Sequence, residues 1–364
     1  MDLAVLRPGE LTGADRDTWR ALQSEARALG APQLANPFLA PEFTLAVGSS
    51  RPGVRIAVVR EDARPVAYLP FQRSPLGVGR AVGLGVSDAQ GLIHRPGFRW
   101  DARELIRACG LSVLEFDHLV AGQEPFGTRT LPGFGSPVVD VDRGFDAYVR
   151  QLRARSPKFV RTTFAKERKL GRDAGPVRFV HDERDPAMLH TLMRWKSAQY
   201  RRTGRSDRFA HPWIVRLVEQ LFHTRTESFT GLLSVLYAGD RPVAAHFGLR
   251  SPSVLACWFP AYDPRFAKFS PGLVMHLRMA EAAAADALEY LDLGRGDKHY
   301  KDSLKTRELT VHEGMVTRRH PIALGHRARR APVRALRHAV LARPELSGPA
   351  DRLLRRVGRL RTGR

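Results

Sequence analysis

The chain has 364 residues, 43% hydrophobic and 26% charged, a composition that fits a soluble globular protein with core enough for two domains. Its two cysteines, Cys109 and Cys257, sit in apolar surroundings, which excludes a disulfide scaffold, and no apolar run is long enough for a membrane-spanning helix. The net charge is +22, and from Pro321 onward twelve arginines face only Glu345 and Asp351, a balance that favours polyanions such as nucleic acid, anionic membrane or phosphate-bearing substrates, the competing reading being a solvated arginine-rich surface.

The first residues carry an acid at position 2 and no long apolar region, so a cytoplasmic protein is expected, with the inner face of the membrane as a variant if the tail binds lipid. A helix is expected over 15–29, with Trp19, Leu22, Ala26 and Leu29 at helical spacing, and a shorter one from Pro41. Strands over 54–60 and 65–71 read as a hairpin, followed by a glycine-rich stretch over 77–91, a helix over 101–109, and strands over 111–116 and 137–141. Helices over 145–152 and 157–170 crowd basic residues over 153–172; a short strand (177–180), two amphipathic helices (188–200 and 212–222) and a second hairpin (231–237 with 242–249) come next. An apolar strand over 254–259, a turn, a helix from Ser270-Pro271-Gly272, a strand over 288–293 and a last strand over 310–317 complete the ordered part. Beyond His320, two amphipathic segments with basic faces suit a helical tail lying on a membrane, or a disordered Arg-rich tail.

An internal echo links the two hairpins. Arg64-Pro65-Val66-Ala67 and Arg241-Pro242-Val243-Ala244 occupy the same strand–turn–strand context, which suggests two copies of one α/β fold. The expected division is 1–142, 143–320 and a tail over 321–364.

Five groups of residues are candidates for chemistry. The start of the 270s helix is an anion site, where the helix dipole and backbone N–H groups meet a charged ligand, with Phe259, Lys268, Phe269, Ser270 and Gly272 as the residues that would hold it. His246 alternates with small neighbours, Ala244 and Gly248, which leaves room for a ligand beside a base; the competing reading is a satisfied core histidine. Tyr262 ends a buried strand, where open α/β sheets place ligands. Asp292, Arg295, Asp297, Tyr300 and Lys301 cluster around two glycines, with Asp292 inside an apolar strand and in need of a partner. Lys196, Gln199 and Tyr200 share one helix face. No His/Cys spacing suits zinc, and no nucleophile-elbow, Walker or dinucleotide fingerprint occurs, so no metal is expected.

The segments WFPAYDPRFAKFSPG, LDLGRGDKHYK and WKSAQYRRTG, with ANPFLAPEF and VSDAQG nearer the N-terminus, resemble the GNAT-type acyltransferases of the cellulose-biosynthesis CelD/BcsL-like group, relatives of the Fem aminoacyltransferases. The resemblance covers roughly residues 10–320 and implies tandem GNAT-like domains, each a mixed sheet flanked by helices, with the second carrying the active site. It implies acyl transfer from acyl-CoA to an amine or hydroxyl on a small molecule, glycan or peptide. The family's shared positions fall on Tyr262, Ser270, Pro271, Gly272, Gly294, Arg295, Gly296, Tyr300 and Lys301. One departure stands out: the usual Arg/Gln-x-x-Gly-x-Gly/Ala pyrophosphate loop is replaced by Lys268-Phe269-Ser270-Pro271-Gly272, which leaves the donor open between acyl-CoA and aminoacyl-tRNA. In this reading His246, or Asp297 through water, takes the proton, Lys301 and backbone amides hold the oxyanion, and Tyr262 or Tyr300 protonates the leaving thiolate. A third reading is a binding module without catalysis, anchored by its tail.

Overall fold

The computed structural model describes residues 2–74, 76–296, 299–321 and 324–325. The first half contains β1 (Asp2–Leu6), α1 (Gly13–Ala28), α2 (Pro41–Ser50), β2 (Val54–Glu61), β3 (Arg64–Arg73), β4 (Val78–Ala81), β5 (Ile93–His94), α3 (Ala102–Ala108), β6 (Val113–Val120) and β7 (Gly133–Asp140). The second contains α4 (Phe145–Arg155), α5 (Pro157–Ala174), β8 (Val177–Val180), α6 (Pro186–Arg202), α7 (Pro212–His223), β9 (Thr230–Ala238), β10 (Arg241–Arg250), β11 (Val254–Tyr262), α8 (Pro271–Ala285), β12 (Tyr290–Asp292), α9 (His299–Leu304) and β13 (Arg307–Thr317).

Local chemistry sets the element ends. Thr12 and Asp15 form a capping box at the start of α1, and Asp185 caps α6 ahead of Pro186. The expected Ser cap on α8 is absent: Ser270 adopts a left-handed backbone, φ 51°, and its hydroxyl makes no cap bond. The Lys166 ammonium donates to that hydroxyl instead, over 2.7 Å.

The two hairpins are built alike. Each has a two-residue connection, and each slips register at the valine of the shared tetrapeptide. Pro65 faces Arg60 while Ala67 faces Val59, and Pro242 faces Tyr237 while Ala244 faces Leu236, so that Val66 and Val243 are the bulged residues. The repeated sequence therefore encodes a repeated backbone irregularity.

The two sheets expected from a division at 142/143 form one. Among the described residues the strand order is β1-β2-β3-β4-β6-β13-β7-β12-β11-β10-β9-β8, with β5 beside β3. In each half a helix links two parallel strands, β4 to β6 through α3 and β11 to β12 through α8. The last strand of each half then pairs across the middle. β13 lies between β6 and β7, and β7 lies between β13 and β12. The exchange satisfies backbone groups that two separate sheets would leave at open edges.

One hydrophobic core joins the halves, with Trp19, Phe43 and Val47 of α1 and α2 packed with Leu192, Leu217 and Phe247 of the second half. A second core lies under α4, α5 and α8, and a third under α3. Among the described residues no helix is long and apolar enough to cross a membrane. The basic tail lies outside the described residues, apart from Pro321, Leu324 and Gly325.

Candidate active site

β11 and β12 share a ladder for three residues each, Val254–Ala256 with Tyr290–Asp292, after which β11 runs on to Tyr262 paired with β10 on its other side. Beside this end of β11 lies a cavity of about 500 Å³. Lys196, Gln199, Tyr200, Thr203 and Arg205 wall it from α6 and the turn that follows. Pro260 to Tyr262 form its floor, Ser270 to Leu273 and His276 its α8 side, and Tyr300 its far side. Of the residues expected at the site, the fold thus brings together Lys196, Gln199, Tyr200, Tyr262, Ser270, Gly272 and Tyr300.

The α8 end is positive, but not through free N–H groups alone. Leu273 and Val274 N–H both turn back to the Ser270 carbonyl, at 2.9 and 3.3 Å. The Lys166 ammonium on Ser270 adds a full charge there. His276, one turn into α8, leans back toward the helix start, as long side chains on a helix do. Its Nδ1 donates to the Gly272 carbonyl over 2.6 Å, which leaves Nε2 without a proton in the neutral ring. The Tyr300 ring centre lies 5.4 Å from that of His276, and burial raises the Tyr300 pKa, so its hydroxyl keeps its proton. On the opposite wall the Lys196 ammonium donates to the Pro260 carbonyl over 2.8 Å and sits 5.3 Å from the centre of the Tyr200 ring. Burial also raises the Tyr200 pKa.

His246 does not line the cavity. A register slip between Phe247 and Gly248 leaves Trp258 out of the β10–β11 ladder, and the Trp258 N–H donates to His246 Nε2 over 3.3 Å. The imidazole is fully buried, and its pKa is pushed well below the ordinary value, by burial first and then by the charges of His276, Lys196 and His181. The small neighbours that suggested room for a ligand instead admit this bulge: a Cβ on Gly248 would come within 2.6 Å of the Ala256 carbonyl oxygen.

Three residues expected at the donor site lie elsewhere. Phe259 is core, 2% exposed and stacked on Trp258 at 4.6 Å. Phe269 is buried in the second-half core, and Lys268 lies exposed over its ring. Asp292, Arg295 and Lys301 gather at the seam between the halves rather than in the cavity. Asp292 is buried and accepts from Asn36 Nδ2, Ser136 Oγ and Gly294 N at 3.1, 2.7 and 2.9 Å; burial raises its pKa against those bonds. Arg295 donates to the Asp117 carbonyl, pairs with Glu313 at 3.1 Å and covers the Phe134 ring. Asp297 lies outside the described residues. Sequence reading missed His276, Thr203 and Arg205. The position of His276 four residues after Gly272 was the available signal, since that spacing returns a side chain to a helix start.

Among the described residues no group of three or more His, Cys, Asp or Glu side chains is arranged to hold a metal ion. Residues 158–302 match the family model described as an acetyltransferase (GNAT) domain. Every residue that walls the cavity, from Lys196 to Tyr300, falls inside that span. The chain therefore carries a GNAT acyltransferase-type domain, set in a large mixed sheet flanked by helices.

No curated protein matches the chain in sequence. Its fold is shared with solved structures at low identity. The crystal structure of FemX superposes with a TM-score of 0.57 at 10% identity, covering 86% of this chain and 96% of that one. A conserved protein of unknown function from Bacteroides thetaiotaomicron gives 0.53 at 11% identity, over 86% and 99% of the two chains. A tandem GNAT protein from the clavulanic acid biosynthesis pathway is also similar, at 0.46 and 13% identity over 87% and 98%.

Proposed function

We propose that the protein transfers an acyl group from acyl-CoA to an amine or hydroxyl acceptor, by direct attack of the acceptor on the thioester. The observation that carries this reading is that the acetyltransferase-domain match contains every wall of the cavity. The cavity's two ends suit the two parts of such a donor. Phosphates would meet the α8 start and Lys166, where cationic side chains make up for N–H groups turned back to Ser270. The thioester would lie by the end of β11, among Lys196, Tyr200, His276 and Tyr300. Tyr300, protonated at neutral pH, would supply the proton that the leaving thiolate needs. Within the superfamily we read the chain as one of the CelD/BcsL-like group, which its WFPAYDPRFAKFSPG and LDLGRGDKHYK segments resemble, and as an enzyme that would work in the cytoplasm.

Calorimetric titration with acetyl-CoA and with free CoA at two salt concentrations tests the donor. Micromolar affinity that survives salt is expected; no binding at either salt rejects acyl-CoA.

A second reading takes aminoacyl-tRNA as the donor. It is favoured by the exposed cations of α4 and α5, among them Arg153, Lys158, Arg161, Arg168, Lys169 and Arg172, which would track a phosphate backbone with steep salt dependence. Copurification of tRNA at low salt distinguishes it. Membrane contact through the tail, with or without catalysis, is tested by liposome cosedimentation of intact and tail-deleted chains.

A further inference from the structure

Across the seam from the cavity, the first half holds a titratable pair that donor binding leaves without a task. His118, on β6, and Asp88, in the loop after β4, face each other with Nε2 3.7 Å from Oδ1. On its other side His118 Nδ1 lies 3.0 Å from Asp117 Oδ1. Asp117 is itself fixed, because Gln90 Nε2 donates to the same oxygen over 2.6 Å, and Gln90 Oε1 accepts from the main-chain N–H groups of Asp117 and His118. This arrangement sets the ring with Nδ1–H on Asp117 and Nε2 toward Asp88.

The pair lies against the second half at the turn that follows β12. Asp88 Oδ2 packs against Gly294, so closely that a Cβ there would come within 2.7 Å of it, and Gly294 lies just past the point where β11 and β12 part. The loop that carries Asp88 is tied to the second half by the Trp258 indole N–H, which donates to the Val86 carbonyl over 2.8 Å, and by the Arg208 guanidinium on the Gly85 carbonyl. The charge of Asp88 acts on Tyr200, a wall of the cavity. The His118 and Asp88 side chains keep 15% and 28% of their surface open to solvent, so a ligand can reach them.

We propose that His118, oriented by Asp117 and paired with Asp88, takes the proton from the acceptor, so that the first half completes the active site of the second. The inference rests on the acyl-CoA reading above. In the step, the acceptor nitrogen attacks the thioester carbonyl carbon and a C–N bond forms. The N–H proton passes to His118 Nε2, the C–S bond breaks, and the thiolate takes the Tyr300 proton. His118 and Tyr300 then return to their starting states by exchange with solvent, and the products are an amide and a free thiol.

The surrounding charges support a strong base. Burial pulls the His118 pKa down, but the Asp117 hydrogen bond and the charges of Asp88 and Asp117 outweigh it and the opposing Arg295, so the net shift is upward. Burial raises the Asp88 pKa, with Asp292 acting in the same sense, while His118, Lys301 and Arg208 pull it down; Glu313 pairs with Arg295. The rate is therefore expected to rise with pH through an acidic limb that belongs to this cluster.

The test uses the full chain with acetyl-CoA, following thiol release with two small amines across the neutral and alkaline range. With rates expressed per unprotonated amine, added ethanolamine gives up its N–H proton only to a base; hydroxylamine is far more acidic once it has added, so it needs little help. His118→Gln is expected to lower the ethanolamine rate about 10²-fold, to remove the acidic limb and to lower the hydroxylamine rate far less. Asp88→Asn, which keeps the side-chain shape, is expected to move the limb to lower pH. Equal loss with both amines, a limb unchanged in either variant, or bound acetyl-CoA with neither amine consumed overturns the inference. Failure to bind acetyl-CoA at all rejects the donor reading itself.

Discussion

The ammonium of Lys301 donates to the carbonyl oxygen of Gly294 over 2.6 Å and to that of Arg295 over 3.2 Å. Gly294 and Gly296 have φ of 72° and 130°, a conformation that turns these carbonyls inward and that residues with a Cβ rarely adopt. Lys301 is buried, so its charge stands on main-chain oxygens and on the carboxylates of the seam. It clamps the turn that sets Gly294 against Asp88 and Arg295 against Asp117. Lys301→Met would leave buried acceptors without donors. It is expected to lower stability by about 1–3 kcal/mol, read from urea midpoints, while acetyl-CoA affinity falls little.

His246 gives a pH signature in stability rather than in turnover. Its folded pKa is depressed by burial, so below about pH 6.5 the unfolded chain binds a proton that the folded chain refuses. Its contribution is complete above that pH and is lost on acidification down to the folded pKa, by up to about 1.4 kcal/mol per pH unit. His246→Gln, whose amide oxygen can still accept from the Trp258 N–H, is expected to flatten this slope. Urea melts at neutral and at mildly acidic pH measure it, and an unchanged slope in the variant refutes the assignment.

Tyr300→Phe separates proton donation from binding. The ring keeps its contact with His276, and the hydroxyl is lost. Thiol release from acetyl-CoA is expected to slow by about 10- to 10²-fold with KM for acetyl-CoA nearly unchanged. A matching rise in KM with kcat intact would make Tyr300 a binding residue instead.

Lys166→Met tests the positive end of the cavity. Loss of the charge beside Ser270 is expected to weaken CoA binding about three- to tenfold at low salt, with a smaller effect at high salt where screening already weakens the attraction. Calorimetry at the two salts reads both numbers from one variant. Equal affinity for variant and parent at low salt would move the phosphates elsewhere.

How much of this was legible in the residues depends on the range of the interaction. The Arg-Pro-Val-Ala echo pointed to two like hairpins, and both slip at the same valine. The helix after Ser270-Pro271-Gly272 and the face shared by Lys196, Gln199 and Tyr200 are local patterns, and the fold brings both to one cavity. Of the two readings of His246 the core one fits the fold: room for a ligand assumed an unbroken ladder, and the slip at Gly248 buries the ring behind Trp258. Phe259 and Phe269 lie beside real cavity residues, but no local pattern says which way an aromatic ring turns. His118 was beyond reach. Its place opposite Asp88 follows from the parallel pairing of β4 with β6 and the Gln90–Leu119 bridge, and the approach of Asp88 to Gly294 from the joining of the two halves; neither leaves a periodic trace.

The strand exchange also sets a timetable for synthesis. β6 has one of its two neighbours only when β13 arrives, with Val120 opposite Val311, and β7 waits for both β13 and β12. A chain emerging from the ribosome can form its first hairpin and bury α1 and α2 early. The middle of its sheet stays open until nearly the whole sequence is out. Such late, non-local pairing is slow to form and exposes unpaired edges meanwhile. Chains arrested before β13 would therefore be substrates for chaperones and proteases rather than half-enzymes, and neither half can be shed or exchanged without its partner.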